Sequence, residues 1–128
     1  MFSVISCGSS RSLSQQQTDL YQTKWLLKKI QEGAGMQDVD TKAFIRFDKE
    51  KGSAGGNGSC NSFGSNVTID GTSIRFSQLF STKMYCEGVQ ATEDRFFKLL
   101  EQADHYELKG NSLELKQGKK VLLVFMAG

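Results

Sequence analysis

The chain has 128 residues, 38% apolar and 23% charged, with 16 basic side chains against 14 acidic ones and a formal charge of +2. That size supports one globular domain, burying roughly two-thirds of the surface its unfolded chain would expose. No block of five or six like charges occurs, which excludes a basic nucleic-acid arm and an acidic tail, and the longest apolar run, residues 121–126, is far too short to cross a bilayer.

In chain order, the first feature is Val4-Ile5-Ser6-Cys7. It resembles the bacterial lipobox, an aliphatic residue, a spacer and a small residue ahead of the cysteine that receives the lipid. A working signal also carries a basic start and 7–15 apolar residues before cleavage. Six residues precede Cys7 and none is basic, so the leader is expected to be truncated. The plainer alternative is an unpaired thiol in a loose tail. Residues 8–23 are rich in Ser and Gln, a composition that buries too little surface to offset ordering entropy. Residues 1–22 therefore read as leader and flexible tether, the latter spanning on the order of 20 Å. The domain is expected over residues 23–128.

Residues 25–30, Trp-Leu-Leu-Lys-Lys-Ile, read as a first strand, residues 31–41 as a loop, and residues 43–48 as a second strand. Residues 52–64 hold five glycines and read as a tight, bulged β segment. Val67 and Ile69 alternate with polar residues, Asp70-Gly71 makes a hairpin turn, and Ile74 and Phe76 resume the alternation. Residues 79–86 form a strand or extended loop. Thr92 is the expected N-cap of the one convincing helix, with Glu93 and Asp94 in its first turn. Phe96, Leu99, Leu100 and Ala103 make its apolar stripe, and Asp94 and Lys98 a surface pair. A β meander ends the chain, its last strand apolar on both faces and so central or covered. Many short strands without βαβ alternation point to a mainly β fold with one helix: a small antiparallel barrel or strongly curved sheet, the helix packed across one end.

Gly56-Asn57-Gly58-Ser59-Cys60-Asn61-Ser62-Phe63, followed by Leu79-Phe80-Ser81-Thr82-Lys83-Met84-Tyr85-Cys86, resembles the META domain family of HslJ-like bacterial heat-shock lipoproteins. Trp25-Leu26-Leu27, the helix with Phe96-Phe97 and the strand at Leu113 and Leu115 match the family in the same order. The resemblance covers about residues 23–126 and marks Asn61, Phe63, Thr82 and Met84 as motif positions. Ser59 departs from it, standing where the family usually has glycine. A backbone needing φ > 0 there would make serine costly. The resemblance implies a lipocalin-like small barrel, periplasm-facing in the bacterial cell envelope and anchored to the membrane by a lipid on Cys7.

In such an oxidising compartment Cys60 and Cys86 most simply pair, leaving Cys7 for the lipid. The alternative is two buried free thiols packed as small hydrophobes. Other constellations are weaker. A Cys–His dyad with His105 needs a proximity that nothing in the spacing supplies, zinc lacks close ligand spacing, and Gly56-x-Gly58 lacks the remainder of a phosphate loop. A barrel mouth near Lys83 and Tyr85 could bind a ligand. The leading expectation is a non-enzymatic, monomeric envelope lipoprotein that binds a protein partner, in a stress-related role, with no cofactor, metal or nucleic acid. A small-molecule or peptide-binding module using the barrel mouth is second, and a weak Cys–His hydrolase third.

Overall fold

The computed structural model describes residues 19–128. A 3-10 turn, Leu20–Gln22, leads into β1 (Trp25–Glu32), β2 (Gly35–Asp38), β3 (Phe44–Asp48), β4 (Ser53–Asn57), β5 (Ser62–Asp70) and β6 (Ser73–Ser81). Helix α1 (Gln90–Gln102) follows, then β7 (His105–Lys109), β8 (Ser112–Gln117) and β9 (Lys120–Ala127). The strands form one antiparallel nine-stranded sheet that curls until β9 pairs with β1, closing a ring. The mainly β, one-helix, strongly curved architecture expected from the patterning is the one present.

Alternation places Trp25, Leu27, Ile45, Phe47, Val67, Ile74, Phe76, Leu113, Leu115 and Phe125 inside the ring, each at most 8% exposed. Strict period-2 alternation in β1 would turn Lys29 inward. A register shift between Leu27 and Lys29 resets the phase, so that Ile30 enters the core instead. Strand β9 lies between β8 and β1, as its two-sided apolar character requires.

The weak seam is β6–β7, which share a single residue pair, Ser73 with His105. Helix α1 packs against β6 and β9 across one end of the ring. Its stripe of Phe96, Leu99, Leu100 and Ala103 is buried as the spacing predicts. The Phe96 ring centroid lies 5.6 Å from that of Phe63 and 6.0 Å from that of Phe125. Because neighbouring strands alternate in direction, the β4–β5 loop, the end of β6 and the start of α1 gather at one end of the ring. The start of β1 and the β3–β4 turn lie at the other.

Several local expectations change. Residues 19–22 pack onto the domain rather than forming part of a tether: Leu20 is 4% exposed and its carbonyl accepts the Trp25 Nε1–H at 3.0 Å. Cys7 and the rest of the leader lie outside the described residues. Residues 31–41 contain β2, whose side chains are all exposed and which joins β1 through backbone bonds and the exposed Lys29–Asp38 ion pair at 2.7 Å, leaving no hydrophobic pattern to read. Helix α1 starts at Gln90 with Val89 as N-cap and no side-chain cap bond, so Thr92 is inside the first turn. Asp94 accepts a hydrogen bond from Gln90 at 3.0 Å instead of pairing with Lys98.

Candidate functional site

The glycine-rich segment between β4 and β5 turns sharply at the helix end of the ring. Asn57 Oδ1 accepts the Ser59 N–H at 2.8 Å, and the Gly58 N–H reaches the Asn61 carbonyl at 2.9 Å. Gly58 lies under the Phe97 ring, where a Cβ would come within 2.6 Å of Phe97 Cζ, so no side chain fits. Ser59 adopts φ +124°, the left-handed side of backbone space that favours glycine. The departure noted at Ser59 is therefore a strained position, with its Oγ donating to Thr41 Oγ1 at 2.8 Å.

This turn presents Cys60 and Asn61 to two neighbours. The first is α1. Glu93 is 1% exposed and accepts the Cys60 N–H at 2.9 Å and the Asn61 N–H at 2.6 Å on Oε1, and Asn61 Nδ2–H at 2.6 Å on Oε2. Burial pushes the carboxyl pKa up. The hydrogen bonds from the Asn61 side chain, the Asn61 and Cys60 amides and the Gln90 side chain outweigh it and hold the group below its ordinary value. Glu93 also sits in the first turn of α1, where the helix dipole favours negative charge.

The second neighbour is the segment after β6. Asn61 Oδ1 accepts from Thr82 Oγ1–H and the Met84 N–H, both at 2.8 Å, while its Nδ2 also donates to the Met84 carbonyl at 2.9 Å. All four hydrogen-bonding positions of the Asn61 side chain are filled. Two residues beyond Met84, Cys86 is joined to Cys60 by a disulfide with the Cα atoms 5.8 Å apart. The motif residues thus meet as one clamp: Cys60 and Cys86 supply the covalent tie, Asn61 the hub, and Thr82 a donor. Phe63 packs beneath, 5.1 Å from the Phe97 ring.

The clamp pushes side chains outward. Met84 binds Asn61 through its backbone, and its side chain is 60% exposed; Tyr85 is 75% exposed and Phe80 69%. Lys83 and Tyr85, singled out from sequence, line one cavity of about 450 Å³ together with Met84, Phe97, Glu93 and Asp94. A wider groove of about 940 Å³ runs along the outside of β3 and β4, past Phe44, Arg46 and Gly55. It is remote from this constellation, and its acidic and basic side chains intermix.

His105 is not brought to the cysteines. It bonds Asp104 at 2.7 Å beyond the far end of α1, about 20 Å of helix away from the disulfide. Neither Cys60 nor Cys86 forms a dyad with His105. Among the described residues no group of three His, Cys, Asp or Glu side chains is placed to hold a metal ion, and no helix is long and apolar enough to cross a membrane. The residue that sequence reasoning undervalued is Glu93, read only as a negative charge in the first helical turn. A signal was present, since Glu93 precedes Phe96 by three residues and Leu100 by seven, on the buried stripe.

A family model for the META domain matches residues 18–128. Among solved structures, an NMR structure of a protein from Burkholderia xenovorans superposes with a TM-score of 0.72 at 17% identity, covering 85% of this chain and 83% of that one. A second NMR structure gives a TM-score of 0.61 at 21% identity, covering 84% of this chain and 91% of that one. At these identities the likeness speaks for the fold. No curated protein matches.

Proposed function

The chain belongs to the META domain family, and from that premise we propose that it is a non-enzymatic binding protein of the bacterial envelope, anchored through a lipid on Cys7 and engaging an envelope partner at the Met84–Tyr85 rim. The observation that carries this reading is the pairing of exposure with rigidity at that rim. Met84 and Tyr85 stand 60% and 75% exposed on a segment pinned by three Asn61 hydrogen bonds and a disulfide. Large apolar side chains carried on a backbone that is already fixed spare association the cost of ordering the segment, which suits a docking surface. The Cys60–Cys86 bond supports an oxidising compartment. The groups that sequence offered for chemistry are engaged in structure, which supports binding over catalysis. Asp19, where the leader joins, lies by the β3–β4 turn, at the opposite end of the ring from the rim.

The test is photo-cross-linking in intact envelopes, with a photoreactive residue at Tyr85 or, as control, at Lys28 on the ring wall. Adducts at Tyr85 alone support the reading, and none at Tyr85, or equal adducts at both sites, refutes it. Incorporation of labelled fatty acid that Cys7→Ser abolishes tests the anchor. The cavity beside the rim favours a second reading, small-molecule binding, which a thermal-shift screen with metabolites separates from the first.

A further inference from the structure

Sulfur and hydrogen bonds divide the rim segment between them. Residues 82–84 are held without sulfur. The Thr82 N–H donates to the Ser62 carbonyl at 3.1 Å, and Asn61 engages the Thr82 hydroxyl and both backbone groups of Met84 at 2.8–2.9 Å. Residues 85–88 have no comparable hold. Among the described residues their hydrogen bonds are two long ones, Cys86 N–H to Gln90 Oε1 at 3.3 Å and Val89 N–H to the Cys86 carbonyl at 3.4 Å. Tyr85, Glu87 and Gly88 are all exposed. Cys60, by contrast, is fixed by its own amide on Glu93 at 2.9 Å and by the same carboxylate on Asn61 beside it. The Cys60–Cys86 bond is not what aligns β5 with β6, whose register already sets Phe63 opposite Ser81. What it alone holds firmly is the strap of residues 85–88 that carries Tyr85. Both cysteines are half-buried, and the approach to Cys86 is the more open, since Tyr85 and Glu87 are exposed while Ser59 and Asn61, which flank Cys60, are not. Disulfides open to solvent are the ones that exchange.

We propose that the Cys60–Cys86 bond is a redox latch on the rim, opened by a protein dithiol of the Cys-x-x-Cys kind, an assignment that rests on the rim being the docking surface. Reduction frees residues 85–88 and removes that surface, while the domain stays folded on its hydrogen-bonded clamp. One thiolate of the reductant attacks Cys86 Sγ and forms a mixed disulfide as the Cys60–Cys86 bond breaks. Cys60 leaves as a thiolate and takes a proton. The second thiol of the reductant attacks the reductant's own sulfur in the mixed disulfide, closing a disulfide within the reductant, and Cys86 leaves and is protonated. Two electrons and two protons pass from dithiol to disulfide. The latch resets because Cys60 stays on its turn and Cys86 stays two residues from the pinned Met84, so re-oxidation is intramolecular at high effective concentration.

The test is backbone amide NMR relaxation of the full chain carrying Cys7→Ser, which leaves two thiols, before and after dithiothreitol. On reduction the order parameters of residues 85–88 are expected to fall below about 0.6, with Asn61, Thr82 and Met84 staying near 0.85. They should recover when dithiothreitol is replaced by oxidised glutathione. Resistance of the folded protein to dithiothreitol, unfolding of the whole domain on reduction, or an unchanged strap would each overturn the latch. A thioredoxin whose Cys-x-x-Cys is made Cys-x-x-Ser should trap a mixed disulfide at Cys86, and trapping at Cys60 would overturn the assigned route. Photo-cross-linking from Tyr85 in intact envelopes should lose most of its adducts with Cys86→Ser, and equally when the wild type is reduced in place with dithiothreitol. A loosened strap with undiminished adducts removes the regulation and leaves the docking surface standing. A strap that loosens while no adduct forms at Tyr85 in either state removes the docking surface instead, and with it the role assigned to the latch.

Discussion

Replacing Glu93 with glutamine isolates the part of the clamp that is not covalent. The carboxylate accepts three N–H bonds at 2.6–2.9 Å, two on Oε1 and one on Oε2. An amide of the same shape offers one oxygen and one NH2. In either orientation at least one donor of Cys60 or Asn61 then faces another donor in a site with 1% exposure. Losing the charge-assisted share of these bonds and leaving a buried donor unpaired costs about 2–4 kcal/mol. For a domain of this size that is about 10–15 °C in Tm. The effect depends on pH in a defined direction. Since the folded-state pKa of Glu93 is held below its unfolded value, its contribution is fully present above the unfolded pKa of about 4.3. It is lost as pH falls through the depressed folded value. Urea unfolding of wild type and Glu93→Gln at pH 7 and pH 3 is the assay, with a wide gap at neutral pH that narrows in acid. The depressed carboxyls of Asp38, Asp104 and Glu107 are common to both proteins and cancel in the comparison. Equal stabilities at pH 7, or a gap undiminished at pH 3, would refute the reasoning.

Three further outcomes are expected. Cys60→Ser and Cys86→Ser should each destabilise the oxidised protein by about 3–4 kcal/mol, the chain-entropy value for a loop closed by residues 26 apart, and the double variant no further; additive losses in thermal denaturation would contradict a shared bond. Ser59→Gly should stabilise by about 1 kcal/mol, because relief of the φ +124° backbone exceeds the loss of one partly exposed hydroxyl bond to Thr41. A lower urea midpoint would reverse that ranking. Gly58→Ala should cost about 1–3 kcal/mol by driving a methyl into Phe97 and the Glu93 side chain, whereas Tyr85→Ala should stay within about 0.5 kcal/mol of wild type. Calorimetry separates these two.

Much of the fold could be read along the chain because local rules and burial agree there. The Asp70-Gly71 hairpin, the alternation of β5, β6 and β8 and the stripe of α1 each carry a period that the core enforces. Strand β2 escaped because its strand character comes from backbone bonds to β1, which leave no trace in side chains that all face water. The helix start escaped because its first turn is held by Glu93 reaching across to another segment rather than by a side-chain cap on Val89. The same long-range bond hid the role of Glu93 itself. A carboxylate in the first turn of a helix is the ordinary solvated case, and only the arrival of the Cys60 and Asn61 amides makes it a buried, ionised hub.

By itself the sequence determined the class of the fold, the family and which residues were worth watching, since periodicity, turn chemistry and ordered motifs are properties of neighbours in the chain. Only the tertiary structure decided what those residues do together. The β5–β6 hairpin, with Phe63 opposite Ser81, brings Cys60 beside Cys86, 26 residues away, and the placement of α1 brings Asn61 beside Glu93, 32 away. Hydrogen bonds and disulfides form over a few ångströms in space, and sequence distance does not encode that separation. Satisfying the buried polar groups of Asn61 with the backbone of Met84 is also what turns Met84 and Tyr85 outward. The surface offered to a partner is therefore a consequence of how the interior is bonded.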